Sequence, residues 1–253
     1  MEYSDAGTTK AAVEIRSVTK KFKTMYEEKE FTALDGVSLS VLQGEFLVIA
    51  GANGSGKTLL MSVIAGLEEA DSGTVEFPAG GEAGLIFQDA DAQILGETPE
   101  EDVCFGLKSC GYPKRDLQSR ARNALARCGL LEKKDFPARL MSGGEKRRLA
   151  VASMIAMQRA VMIFDEPFAN LDWPGIRQVC AILKSLKEEG YTVLVLTHEL
   201  EKILALADRL AILDKGKIRF SGPPEDALRL PLEDFGIRNP MTAYNSIQDM
   251  LWI

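Results

Sequence analysis

The sequence predicts an α/β fold in which a mostly parallel sheet is interrupted midway by a helical lobe. Three observations carry the prediction. The runs at 46–50 and 161–164 are short, continuous and apolar, as in parallel strands covered on both faces, and 192–197 reads as a further buried strand. Each precedes a turn and a segment of helical spacing, so strands and helices alternate. The stretch 99–157 breaks that alternation, being mainly helical, and reads as an inserted lobe over about 97–158.

Taken in order, residues 13–18 alternate at period two and predict a half-exposed strand. The Lys- and Glu-rich run 20–30 predicts a solvated turn. Phe22 lies in it and has two readings, stacking on a base through its π-face or packing at a strand edge. Residues 37–41 form another alternating strand, which passes through Gly44 into the run 46–50, and 58–66 has helical spacing. Short strands at 73–77 and 82–88 flank a Pro-Ala-Gly-Gly turn. The lobe's helices fall at 100–107, 114–126 and 142–157, with apolar residues three and four apart. Glu97, Glu100, Glu101 and Asp102 gather at the start of the first, where carboxylates either favour the helix dipole or meet a partner. Pro174 opens a helix to about 189, a further helix spans 199–207, and 210–220 pairs two strands about Asp214-Lys215-Gly216. Residues 223–253 extend the domain 1–222 with a tail of mixed helical character.

A chain of 253 residues can bury one sizeable core. Lys and Arg number 30 against 37 Asp and Glu, a net charge of −7, which argues against a nucleic-acid partner, since that requires a basic footprint. The cysteines at 104, 110, 128 and 180 lack metal-type spacing and predict buried, reduced thiols in the cytoplasm. Residues 1–10 do not resemble a signal peptide. No apolar run reaches the ~18 residues of a membrane span, so any membrane role is expected to come through a partner.

The chemistry is concentrated in Gly51-Ala52-Asn53-Gly54-Ser55-Gly56-Lys57-Thr58, directly after the run 46–50. It fits G-x-x-x-x-G-K-[ST], in which glycines let backbone N–H groups wrap around phosphate. Lys57 can neutralise the β- and γ-phosphate oxygens and the Thr58 hydroxyl can ligate Mg²⁺. The following helix turns its N-terminus to the anion. Asp165 and Glu166 close the run 161–164 at the carboxyl end of a strand, where one carboxylate can hold Mg²⁺ and the other orient and deprotonate water. His198, the one histidine of the chain, ends another core strand where a γ-phosphate would lie.

Ser142-Gly143-Gly144-Glu145, followed by Lys146-Arg147-Arg148-Leu149-Ala150, resembles the signature motif of ATP-binding-cassette (ABC) ATPases. In the same resemblance Gln88 is the Q-loop glutamine, Asp165-Glu166 the Walker B pair, Ala169 to Asp172 the D-loop, His198 the switch histidine and Phe22 the aromatic that stacks on adenine. The family implies a phosphate-loop NTPase core, an N-terminal antiparallel β subdomain and the inserted helical subdomain. It also implies ATP and Mg²⁺ as ligands. Glu166, His198, Lys57 and Gln88 are then catalytic, and Thr58, Gln88 and Asp165 hold the metal. Phe22, Gly51, Asn53, Gly54, Ser55, Gly56, Lys57, Thr58, Ser142, Gly143, Gly144 and Asp172 contact nucleotide, the signature from across a head-to-tail pair of cassettes. Two departures stand out: Met141 replaces the usual leucine, and Glu145 replaces glutamine, adding negative charge near a triphosphate.

Residues 86–94 and 100–107, with stretches of the tail after Gly222, resemble the ATPase subunits of energy-coupling-factor importers of vitamins and transition-metal ions. That resemblance implies a second cassette, identical or related, an integral membrane transport subunit, and a peripheral place on the cytoplasmic face of the membrane. The alternative is a soluble cassette in iron–sulfur assembly or another non-transport role.

Overall fold

The apolar runs become the inner strands of a large sheet. The computed structural model describes residues 10–23, 30–87, 89 and 92–251. Its strands are β1 (Ala11–Lys23), β2 (Glu30–Leu42), β3 (Phe46–Ala50), β4 (Ser72–Glu76), β5 (Ala83–Ile86), β6 (Val161–Asp165), β7 (Thr192–Leu196), β8 (Arg209–Asp214) and β9 (Lys217–Gly222). Its helices are α1 (Lys57–Ile64), α2 (Pro99–Ser109), α3 (Leu117–Arg127), α4 (Gly143–Ala156), α5 (Trp173–Glu188) and α6 (Pro224–Ala227). β3, β6 and β7 are buried at every residue, which requires cover on both faces of the sheet.

The large sheet runs β5-β6-β7-β3-β8-β9, parallel except for the β8–β9 hairpin, and a small antiparallel sheet runs β2-β1-β4. One face of the large sheet packs against α5 through Val179, Leu183 and Leu186. The other packs against α1 through Leu60, Met61 and Ile64, together with the small sheet. α2, α3 and α4 enclose a separate apolar cluster that includes Val103, Leu107, Leu125 and Leu149. α4 serves both: Ala150, Val151 and Met154 join the sheet's core while Leu149, Ala152 and Ala156 join the lobe's.

Three expectations are corrected. Residues 20–23 and 30 are strand, not turn: Lys20 pairs with Leu34 and Lys23 with Glu30. Their charges mislead because residues 21–23 and 30 are solvent-exposed, so no apolar alternation marks them. The helix expected over 199–207 is two 3₁₀ turns, Leu200–Lys202 and Leu204–Leu206, around Ile203 at φ −139°. Leu200 and Ile203 are both buried in the core, and that packing overrides helical propensity. The cysteines are free, but Cys110 is exposed and only Cys104 fully buried.

Candidate nucleotide site

The carboxyl ends of β6, β7 and β3 lie side by side, and each carries one of the motifs. Open α/β sheets place ligands at this end. Backbone bonds extend the ladder past the strands, with Glu166 N–H donating to Leu196 O at 2.9 Å and Thr197 N–H to Ile49 O at 3.2 Å. Glu166, Thr197 and the loop after Ile49 are therefore held in register.

The loop 51–56 is shaped by close backbone contacts. A Cβ at Gly51 would lie 2.2 Å from Leu213 O, and Gly56, at φ +103°, would bring one within 2.9 Å of Ala33 O. No other residue fits either place. The hairpin turn braces the loop: Gly216 N–H donates to Ser55 O, and Asp35 N–H to Gly216 O, both at 2.9 Å. α1 thus opens at Lys57 behind a left-handed Gly56, and a helix start offers unpaired N–H groups to an anion.

Lys57 Nζ donates to Gly51 O (2.6 Å) and Ala52 O (3.0 Å) and lies 3.9 Å from Glu166 Oε1. Burial pushes its pKa down, against the pull of Glu166 and Asp165. Thr58 Oγ1 donates to Asp165 Oδ2 at 3.0 Å. Burial pushes the Asp165 carboxyl up, a trend the Thr58 bond opposes. Asp165 Oδ1 and Ser55 Oγ are buried without a protein hydrogen-bond partner. Orphaned buried oxygens call for an explanation, and Asp165 Oδ1, on the carboxylate that the Thr58 hydroxyl meets, gives with that hydroxyl the hard-oxygen donors that suit Mg²⁺. Glu166 Oε1 meets His198 Nδ1 at 3.0 Å. Its other oxygen has no hydrogen-bond partner, and its backbone is strained at φ +42°.

A family model described as "ABC transporter" matches residues 34–169, from β2 through the phosphate loop and the start of α4 to beyond β6. The chain belongs to the ABC transporter family. It is an ATPase that takes ATP with Mg²⁺. This cassette is 35% identical over 228 residues to the energy-coupling factor transporter ATP-binding protein EcfA1 of Clostridium novyi, covering 85% of this chain and 80% of the relative. Among solved structures it resembles cbiO1 from Clostridium perfringens, part of the ABC transporter complex cbiONQ (26% identity, TM-score 0.74, 88% of this chain and 97% of that one). It also resembles a dimeric post-hydrolysis ATP-binding cassette bound to ADP and Pi (26% identity, TM-score 0.72, 84% and 98%). The fold is that of ABC ATPases.

Within this cassette, contacts join Lys57, Thr58, Asp165, Glu166 and His198. The signature is held elsewhere, at the start of α4. Ser142 Oγ accepts from Glu145 N–H (3.3 Å) while Glu145 Oε2 accepts from Ser142 N–H (2.9 Å), a capping box that leaves the Ser142 hydroxyl proton to donate. Glu145 explains its own presence: it completes the cap and pairs with Lys133, which holds its carboxyl below the usual range and offsets the expected added charge. Met141 packs, buried, in the lobe's apolar cluster. Glu145→Gln keeps an acceptor for Ser142 and gives up an ion pair worth under about 1 kcal/mol. Its melting temperature is expected to move less than that of Glu145→Ala, which also loses half the cap at a cost of about 1 kcal/mol. Thermal denaturation of the two variants checks the order.

Asp172 is exposed and caps α5, accepting from Gly175 N–H at 2.9 Å. Phe22 is 44% exposed and stands opposite Phe31, 58% exposed, across β1 and β2. Sequence reasoning missed Phe31, although its place follows from pairing once the charged run is seen as strand. It also missed Gly236, at φ +66°, where a Cβ would come within 2.8 Å of Ala52 in the phosphate loop. Gln88 lies outside the described residues. Among the acidic cluster, Glu100 pairs with Arg122, and Asp102 accepts from Leu95 and Gly96 N–H and from Ser153; Glu97 and Glu101 face solvent.

Proposed function

We propose that this cassette is the ATP-hydrolysing subunit of an importer of the energy-coupling-factor type, peripheral on the cytoplasmic face of the membrane. Two cassettes, copies or relatives, clamp ATP head to tail, and an integral membrane subunit carries a vitamin or transition-metal ion. The convergence of Lys57, Thr58, Asp165, Glu166 and His198 at one sheet end carries the hydrolytic part of the reading, and the likeness to the energy-coupling factor ATP-binding protein supports the importer part.

Each side chain has a role its chemistry supports. Backbone N–H groups of 51–56 and Lys57 take the phosphates. Thr58 and Asp165, with Gln88, would hold Mg²⁺, which supplies charge neutralisation on the phosphate oxygens. Glu166, with an oxygen left for water, acts as the base, while His198 steadies that carboxylate and reaches the γ-phosphate. Phe22, with Phe31 beside it, offers the adenine a platform. Ser142, Gly143 and Gly144, at a capped helix start, meet the γ-phosphate bound by the other cassette.

Among the described residues no helix is long and apolar enough to cross a membrane. A groove of about 470 Å³ between the sheet edge and α4, lined in part by Leu67, Phe77, Phe87, Met154 and Met157, suits a short helix of the membrane subunit. Phe87 adjoins Gln88, so nucleotide state would reach that helix directly. Purification from its own host tests the reading. A multi-span membrane protein should copurify, and vesicles bearing the complex should take up a candidate vitamin, cobalt or nickel only with ATP. Copurification of iron–sulfur assembly proteins instead would overturn it.

A further inference from the structure

Arg147 lies on the side of α4 that faces the sheet, in line with Val151 and Met154. It is 7% exposed. Ile86, Phe87, Phe164 and Pro167 line a small void beside it, so part of its side chain meets apolar neighbours. There Nη2 donates to Ala169 O at 3.0 Å. Ala169 is the middle of the segment by which the chain leaves β6 with Glu166. Two non-glycine residues of that segment are left-handed, Glu166 at φ +42° and Asn170 at φ +58°. Such backbone persists only where its surroundings hold it. The segment's own bonds are long: Ala169 N–H to Glu166 O at 3.2 Å and Leu171 N–H to Phe168 O at 3.4 Å. Arg147 reaches from the lobe's shared helix to hold this segment at its centre. Burial lowers the Arg147 pKa and Asp89, in the loop after β5, opposes that shift, which places a second motif loop within its field.

We propose that Arg147 is a positioning residue for hydrolysis, which makes the placement of Glu166 depend on the lobe by holding the Ala169 carbonyl. The proposal rests on the reading of Glu166 as the base. Were α4 to shift relative to β6, the guanidinium would either carry Ala169 with it or give up a buried acceptor, and an unmet buried hydrogen bond is expensive. The segment then has discrete arrangements, one of which aims Glu166. Lysine would reach the carbonyl as a single point donor and serve in part.

The test is steady-state ATP hydrolysis by Arg147→Met and Arg147→Lys, with nucleotide retention measured for Arg147→Met combined with Glu166→Gln. Methionine keeps the stem against the apolar neighbours and removes the donor. In Arg147→Met, kcat is expected to fall tenfold or more, as small misplacements of reacting groups can cost about 10²-fold, with KM for ATP within twofold. Arg147→Lys should regain part of kcat, and the double variant should retain as much ATP as Glu166→Gln alone. Wild-type kcat in Arg147→Met overturns the proposal. So does a parallel loss of kcat and nucleotide retention, the mark of a merely structural role. Should Arg147→Met fail to fold, wild-type kcat in Arg147→Lys overturns it and a reduced kcat at unchanged KM supports it. Failure of the underlying reading looks different: Glu166→Gln alone would then turn over normally.

Discussion

Glu166→Gln is expected to lower ATP turnover by about 10²–10⁴-fold, the contribution of a positioned base, while nucleotide stays bound. Glutamine matches glutamate in shape and keeps an oxygen for the His198 contact now made by Oε1 at 3.0 Å. What it loses is the ability to take a proton from water. It also removes a negative charge near Lys57, 3.9 Å away, which favours a bound triphosphate. Phosphate release should therefore nearly stop, and ATP rather than ADP should be recovered from protein passed through a desalting column. Turnover at the wild-type rate would take the base role from Glu166.

Lys57→Ala is expected to weaken ATP binding by at least about 30-fold, since truncating one side of a buried charged contact costs about 2–5 kcal/mol. The ammonium is the cation of the loop, held between Gly51 O and Ala52 O at the site's floor. Fold stability is expected to fall as well, because Gly51 O, Ala52 O and Glu166 lose a partner. Calorimetric titration with ATP and thermal melting of the same preparation separate the two effects. An affinity within threefold of wild type would contradict the role given to Lys57.

The strands that carry the site were the easiest part to foresee. β3, β6 and β7 are buried at every position, so all their residues but Asp165 and Thr192 are apolar and those runs mark them. Lys57, Asp165, Glu166 and His198 follow at their ends, where a parallel sheet places chemistry. Legibility failed where burial is one-sided or absent. Lys20 to Lys23 look like a turn because pairing with β2 leaves most of them solvated. Contacts made by backbone atoms leave no mark on composition. The hold of Arg147 on Ala169 O, the brace of Gly216 on the phosphate loop and the approach of Gly236 to Ala52 are all of this kind. Glu145 shows a third case: as a departure from a motif it looks like added charge, and only the capping geometry and Lys133 reveal what it does.

The central claim is that ATP is completed as a ligand only between two cassettes, by the signature of one and the phosphate loop of the other. Gly143 offers a clean way to test it, because it is exposed and a Cβ there meets nothing within 4 Å, so Gly143→Arg should leave the fold intact while blocking that face. The measurement is the solution mass of Glu166→Gln protein, with any cassette that copurifies, in ATP and Mg²⁺, with and without Gly143→Arg. The account predicts paired cassettes with ATP retained, reduced by Gly143→Arg to single chains that still bind ATP. Single chains that retain ATP in Glu166→Gln alone, or pairs that survive Gly143→Arg, would contradict it.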